Sequence, residues 1–260
     1  MMSLRMRAAR LLLRTSTFIR SLPVVIMKPD DLVEFSRRTY SRPNHVDGWA
    51  ESSLVDTGLR SDEIELIAAV PEKSGDLLVL GVGGGREAIV FAQMGYSVTG
   101  VDFVPELVDR AIANAIARGV DIKGLVQEIS QLDVPTDSFD VVWLSRAMYS
   151  SVPTRSRRVA MVRKIAHSLK PGGYFFCQFH RQPGVHPSAK GVFARRLLAC
   201  LLWGNRSYEP GDILWQDIEF IHAFRSDAEV RAELQEAGLQ VVDIVKSVNE
   251  IQRAVICRKQ

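Results

Sequence analysis

Leu77 to Asp102, LLVLGVGGGREAIVFAQMGYSVTGVD, constrains this chain more than any other stretch. Leu77 to Leu80 is a short apolar run suited to a parallel strand covered on both faces. Gly81 to Gly85 then lets the backbone turn sharply and approach a ligand without interference from Cβ atoms. The helix that follows points its free N–H groups and positive dipole end at whatever occupies that turn. A second strand ends at Asp102, where a carboxylate can accept hydrogen bonds from vicinal ribose hydroxyls. A nucleotide-like ligand is the natural occupant.

The 260 residues suit one α/β domain with an elaboration, and 47% hydrophobic residues are enough for a sizeable core. The net charge of +3 is unevenly placed: residues 1–29 carry six basic side chains and no acid, which leaves −3 for the remainder. The domain itself therefore gives no reason to expect a nucleic-acid partner. Cys177, Cys200 and Cys257 lie far apart without ligand spacing, which fits a reducing compartment such as the cytoplasm. No run is long and apolar enough to predict a spanning helix. The Arg-rich start suits a transit peptide, or a cationic amphipathic helix making peripheral membrane contact, with Leu4, Ala8, Leu11, Leu12 and Thr15 at helical spacing. The plainer expectation is a helix packed on the domain.

Along the chain, Pro29 to Tyr40 reads as a short helix and Ser41 to Asp56 as a polar loop. Ser61 is expected to cap a helix reaching Val70, with Ile64, Ile67 and Ala68 turned inward. Pro105 opens a helix that Gly119 stops. Strands are expected near Gly124–Gln127, at Phe139–Leu144 and at Tyr174–Phe179, with a helix from Thr154 to Leu169 between the last two. Residues 181–225 break the rhythm. Ser226 to Glu229 has the spacing of a capping box, and Leu239–Ser247 with Ile251–Cys257 the spacing of a hairpin.

With these residues in this order, the chain from about Ser61 to Lys259 resembles the class I S-adenosylmethionine-dependent methyltransferases. The resemblance implies a doubly wound, Rossmann-like sheet of seven mostly parallel strands with a C-terminal antiparallel hairpin. Here it would carry an N-terminal helical cap over residues 1–60 and a lid insert at 181–225 in a methyltransferase domain of 61–260. It also implies S-adenosyl-L-methionine as the methyl donor. Gly81, Gly83 and Gly85 would form its turn, Asp102 would hold the ribose, and Phe103 and Val104 would flank adenine. Glu128 and Ile129 would read the adenine amino group, and Ser145, just past the fourth strand, would line the donor pocket. Two departures stand out: Gly81 replaces the family's usual acid, and Glu87 replaces its third glycine. Glu87 is the candidate substitute partner for the methionine amino group. Tyr40 is placed either over the donor carboxylate or in the core.

Three readings stay open on the residues. Gly83 to Ala88 also satisfies a dinucleotide fingerprint, with Asp102 19 residues beyond Gly83, so an NAD-dependent oxidoreductase is a rival. The SLKPGG turn before the fifth strand and the closing hairpin favour the methyl donor. A non-catalytic adenosylmethionine-binding protein is the third. His180, at the end of the fifth strand, is a candidate general base, with Tyr149 and His222 weaker ones. No metal-ligand set is evident around His180 and His186. Val192, Leu197, Leu198, Leu201, Leu202 and Trp203 predict an apolar helix, read first as a lid and otherwise as a dimer contact or membrane-surface element. The acceptor is expected to be small or lipid-like. Neither its identity nor the oligomeric state follows from the sequence.

Overall fold

The structure, a computed structural model, describes residues 6, 19, 21–71, 74–182, 184, 187–216, 218–247 and 251–260. Most of the Arg-rich start, with Leu4, Ala8, Leu11, Leu12 and Thr15, lies outside the described residues, as does His186.

Strand β1 (Gly75–Leu80) lies third in a seven-stranded sheet ordered β3-β2-β1-β4-β5-β9-β8. Its neighbours β2 (Tyr96–Asp102) and β4 (Phe139–Leu144) run parallel to it, as do β3 (Lys123–Val126) and β5 (Leu169–His180) beyond them. Strand β9 (Gln252–Lys259) is antiparallel to both β5 and β8 (Leu239–Lys246). The closing hairpin therefore wedges its last strand against β5, where a second mononucleotide half would continue in parallel. This topology favours the methyl-donor reading over NAD.

Alternation along β1 builds two cores. Leu78 and Leu80 face a cluster with Val142, Leu144 and Phe175, covered by α7 (Arg155–Ser168) and α9 (Asp227–Glu236). Leu77 and Val79 face the other, with Val141 and Trp143, under α4 (Ser61–Ala68), α5 (Arg86–Gln93) and α6 (Pro105–Ala117). All four β1 residues are fully buried. Helices on both faces make this the expected doubly wound arrangement. At the far end of the sheet, Lys170 Nζ reaches Asp76 at 3.0 Å and Asp140 at 2.8 Å, tying β1, β4 and β5 together.

Several local expectations are corrected. Residues 41–56 are not a loop: α1 (Pro29–Tyr40) is followed by α2 (Pro43–Ala50) and the single turn α3 (Ser52–Val55). Pro43 stands in the first helical turn, where its missing N–H costs nothing. Helix α4 begins at Ser61, and its N-cap is Arg60, whose N–H donates to Glu63 at 2.8 Å. The buried face is accordingly Asp62, Glu63, Leu66 and Ile67, while Ile64 is 51% exposed and Ala68 is also exposed. Ser226 makes no side-chain cap bond, and Glu229 accepts from the Arg225 N–H instead.

The insert holds α8 (Ala189–Leu201) and a separate hairpin of β6 (Asp212–Trp215) and β7 (Glu219–His222). Residues 21–26 are helical, and Val24 and Val25 pack with Ala199, Tyr208 and Phe220 of the insert. Among the described residues no helix is long and apolar enough to cross a membrane.

Candidate active site

The first parallel strands deliver their C-terminal ends to one crevice. Gly81 and Val82 donate their N–H groups to Val101 O, and Ser145 N–H donates to Leu80 O, which locks the ends of β1, β2 and β4 together. Gly81, Gly83 and Gly85 have φ of 80°, 53° and 96°, a region L side chains rarely enter. Gly84 is required for another reason: a Cβ there would collide with the backbone of Trp49 and Ala50. The turn is thus clamped beneath α2 and opens onto a cavity of about 370 Å³.

At one end of this cavity lies Asp102, 6% exposed. Its two carboxylate oxygens accept the N–H groups of Gly83 at 3.0 Å and Val104 at 3.1 Å. Burial pushes its pKa from 3.8 up to about 6, although those N–H groups pull the other way. Phe103, Leu107, Glu128 and Ile129 line the adjoining wall. Glu128 accepts from Ser130 N at 2.9 Å and Ser130 Oγ at 2.6 Å, so its carboxylate also caps a short 3-10 turn.

Ser145 Oγ, on the cavity wall, is buried without a hydrogen-bond partner. A buried hydroxyl left unpaired is costly unless a ligand completes it. Together with Asp102 and the open space beside Gly83, it fits a polar nucleoside better than an apolar occupant. The residues present therefore suit the donor that the resemblance implies. Two expected contacts are not brought to the wall. Val104 is fully buried against Val46 and Leu107, with Leu107 reaching the cavity in its place. Gly85 packs against Ala111 and Ile89 and shapes the turn from behind.

Glu87 and Gly81 meet at the floor. Glu87 lines the cavity at 4% exposure, and burial raises its pKa against the pull of Arg86. Arg86 also grips Glu63 with two bonds, of 2.7 and 2.8 Å, and donates to Gly58 O. The start of α5 is therefore fastened to α4, and Glu87 is held at a fixed point. Opposite stands Arg146, φ 46°, its guanidinium 5.1 Å from the centroid of the Trp49 ring. Burial and the positive charges of Arg86 and Arg60 lower the Arg146 pKa. Sequence reasoning missed Arg146 and Trp49. The first follows β4 with no helical or strand period to mark it, and the second was assigned to a loop.

Val33, Tyr40, Ser151, His180, Trp215, Glu219 and Ile221 also line the cavity. Tyr40 stands beside Glu219, and burial followed by that carboxylate raises the Tyr40 pKa. Ser151 Oγ donates to Glu219 Oε2 at 3.4 Å. Burial also raises the Glu219 pKa, while these two hydroxyls hold it down. His180 stacks on Trp215 with ring centroids 5.6 Å apart, and its Nδ1 is buried without a partner. Burial pushes its pKa from 6.5 down to about 4, so the imidazole is neutral at pH 7.

The insert reaches the cavity through β6–β7, not through α8, which lines no part of it. Trp215, Glu219 and Ile221 come from strands of four residues each, too short for alternation to reveal. Tyr149 and His222 sit outside the cavity in a buried polar network. Tyr149 donates to Glu233 at 2.7 Å, and His222 Nδ1 lies 2.8 Å from Asp212. Arg158 joins that network by bonding Glu233 twice and Glu209 once, so the acids around His222 are balanced by a guanidinium.

Comparison with known proteins agrees with this geometry. A family model described as a methyltransferase domain matches residues 77–173. A ubiquinone biosynthesis O-methyltransferase of Xanthomonas axonopodis pv. citri is 32% identical over 184 residues, 70% of each chain. An S-adenosylmethionine-dependent methyltransferase structure from Methanosarcina mazei superposes with TM-score 0.59 at 23% identity, covering 78% of this chain and 98% of that one. A 1,6-didemethyltoxoflavin-N1-methyltransferase from Burkholderia thailandensis, solved with its substrate and S-adenosylhomocysteine, gives TM-score 0.63 at 18% identity, covering 89% and 90%. These two structures bear on the fold.

Proposed function

The chain belongs to the class I S-adenosylmethionine-dependent methyltransferases, and on that premise we propose that it methylates a hydroxyl of a small, largely apolar or lipid-like acceptor. The observation that carries the acceptor reading is Glu219, a carboxylate bonded by Ser151 and neighboured by Tyr40, in a chamber walled by Val33, Trp215 and Ile221. An apolar acceptor fills such walls, and one polar group is enough to orient its hydroxyl. That relatives at 32% identity are named as O-methyltransferases supports oxygen as the acceptor atom.

S-adenosyl-L-methionine supplies, when bound, a methyl group already activated on a sulfonium. The protein's part is to align, desolvate and remove a proton. Asp102 accepts from the ribose hydroxyls, and Phe103 and Leu107 cover the adenine, whose amino group meets Glu128 and Ile129. Glu87 takes the methionine ammonium in place of the acid missing at Gly81, and Arg146 takes the carboxylate. Ser145 Oγ completes its hydrogen bonding on the donor.

Glu219 is the base proposed to accept the acceptor's proton, because burial moves its proton affinity towards neutral pH. Neutral His180, poor as a base with a pKa of about 4, shapes the pocket by stacking on Trp215. The cationic start of the chain adds peripheral membrane contact in this reading. Calorimetric titration with S-adenosylhomocysteine, then turnover of a labelled methyl group onto lipophilic phenols, tests the proposal. Donor-product binding without transfer to any such hydroxyl would remove the acceptor class, and absence of binding would remove the site.

A further inference from the structure

Helix α8 is packed the wrong way round for a surface helix. Such a helix ordinarily buries its apolar stripe and shows charge to water. In α8 the inward residues are Arg195 and Ala199, 8% and 0% exposed. Phe193, Leu197 and Leu201, four residues apart along one stripe, are 69%, 50% and 68% exposed. Leu202 and Trp203 extend the stripe beyond the helix end at 49% and 75%.

The inversion is fixed from inside. Arg195 Nε donates to Ser21 Oγ at 3.0 Å, and the same guanidinium reaches Gly191 O at 3.1 Å. Asn205 donates its side-chain amide to Val24 O and its backbone N–H to Val25 O. Gly204 lies so close to Val25 O and Ile26 that no Cβ would fit. Turning the helix to hide its leucines would break these bonds. Trp203 closes the helix at φ 55°, a backbone region bulky side chains rarely adopt, and the Arg206 guanidinium stands 5.3 Å from its ring centroid.

Charge selects the occupant of this face. Gln182 to Tyr208 contains no acid, and Lys190, Arg196 and Arg206 are exposed around the stripe. The sequence ahead of Ser21 is cationic as well, with five arginines and no acid in the first 20 residues. A second copy of this face would bring like charges together, whereas an anionic lipid surface satisfies both the charge and the apolar stripe.

We propose that the outer face of α8 docks this protein on an anionic bilayer. The five apolar side chains enter the boundary between headgroups and acyl chains, and the three flanking cations stay at the phosphates. Leu198 of α8 and Leu214 of β6 pack against the same small core, so docking brings hairpin β6–β7 and the part of the cavity it lines to the membrane. The benefit for substrate capture rests on the apolar-acceptor reading; the docking itself stands on the surface alone.

The test is co-sedimentation of the full-length protein with vesicles of phosphatidylcholine, alone or mixed with phosphatidylglycerol. The wild type pellets with the mixed vesicles and stays in solution with phosphatidylcholine alone. Phe193→Ser, Leu201→Ser and Trp203→Ser combined lower the partition coefficient at least tenfold while S-adenosylhomocysteine affinity is unchanged. Should that variant lose its fold, Lys190→Glu with Arg206→Glu decides the matter by the same loss of pelleting. A wild type that ignores the mixed vesicles overturns the proposal. So does equal pelleting of a folded variant, which would put the contact elsewhere, in the N-terminal segment for example. Conversion of a dimer to a monomer without loss of pelleting overturns it in favour of a second copy.

Discussion

A Cβ built on Gly81 would overlap the sulfur of Met148. The thioether therefore fills the space that a side chain at position 81 would need, and the acid absent there has no room to return unless Met148 moves. Gly81→Ala should destabilise the protein by about 1–3 kcal/mol, the range for forcing extra volume and a positive φ on a packed site. Adding Met148→Ala should recover part of that loss, because it relieves the overlap and leaves the φ of 80°. Urea unfolding of the single and double variants measures both steps. Full additivity of the two losses would mean that the residues do not compete for the same space.

Asp102 gives donor binding and apo stability opposite responses to pH. Its pKa is raised to about 6, so folding favours the protonated acid, and that contribution is complete only below pH 3.8 and lost as pH rises through 6. The shift from 3.8 corresponds to about 3 kcal/mol. Accepting ribose hydroxyls requires the ionised form, so S-adenosylhomocysteine affinity should fall roughly tenfold per pH unit below about 6. Asp102→Asn should bind more weakly at pH 7.5 and lose that pH dependence. Calorimetric titration from pH 5 to 8 reads both, and an identical slope in the variant would place the titrating group elsewhere.

The Arg158–Glu233 pair is a stability element away from the cavity. Arg158 is 1% and Glu233 3% exposed, joined by bonds of 2.9 and 2.8 Å, with Tyr149 on the same carboxylate. Glu233→Ala strands a buried guanidinium and should cost about 3–5 kcal/mol in urea unfolding. Arg158→Met with Glu233→Leu should cost less, since the two fully buried charges leave together and only the half-buried Glu209 loses an ionic partner. A double variant as unstable as the single one would show that the pair's worth lies in its geometry.

What could be read from the sequence was whatever repeated. Strand β1, the glycine turn and Asp102 were legible because period and spacing alone define them. Helix α2 was missed although Pro43 marks its start, because Pro43, His45 and Gly48 were read as loop residues. The inward face of α4 was misjudged because apolar spacing alone put Ile64 and Ala68 inward, whereas Arg86, far along the chain, makes burying Glu63 tolerable. Helix α8 was read first as a lid, yet it lines no part of the cavity, and the bond from Arg195 to Ser21 holds its leucines outward. Glu219 carried no sequence signal, since only tertiary contact with Tyr40 and Ser151 distinguishes it from a surface acid.

That contact separates the two candidate bases by experiment. A base acts in its deprotonated form, so kcat falls on the acid side of its own pKa. If Glu219 is the base, the fall begins at a pH above the ordinary carboxylate range, because burial raises its pKa. If His180 were the base, the fall would be centred near 4. Glu219→Gln should lower kcat about 100-fold or more, the usual contribution of a general base, and flatten the acid limb. The same change should lower kcat far more than it lowers S-adenosylhomocysteine affinity, since Glu219 bonds Ser151 and makes no hydrogen bond to Asp102 or Arg146. His180→Asn should raise KM through the lost stacking on Trp215 while keeping the wild-type acid limb. An acid limb that survives in Glu219→Gln and vanishes in His180→Asn would exchange the roles of these two residues.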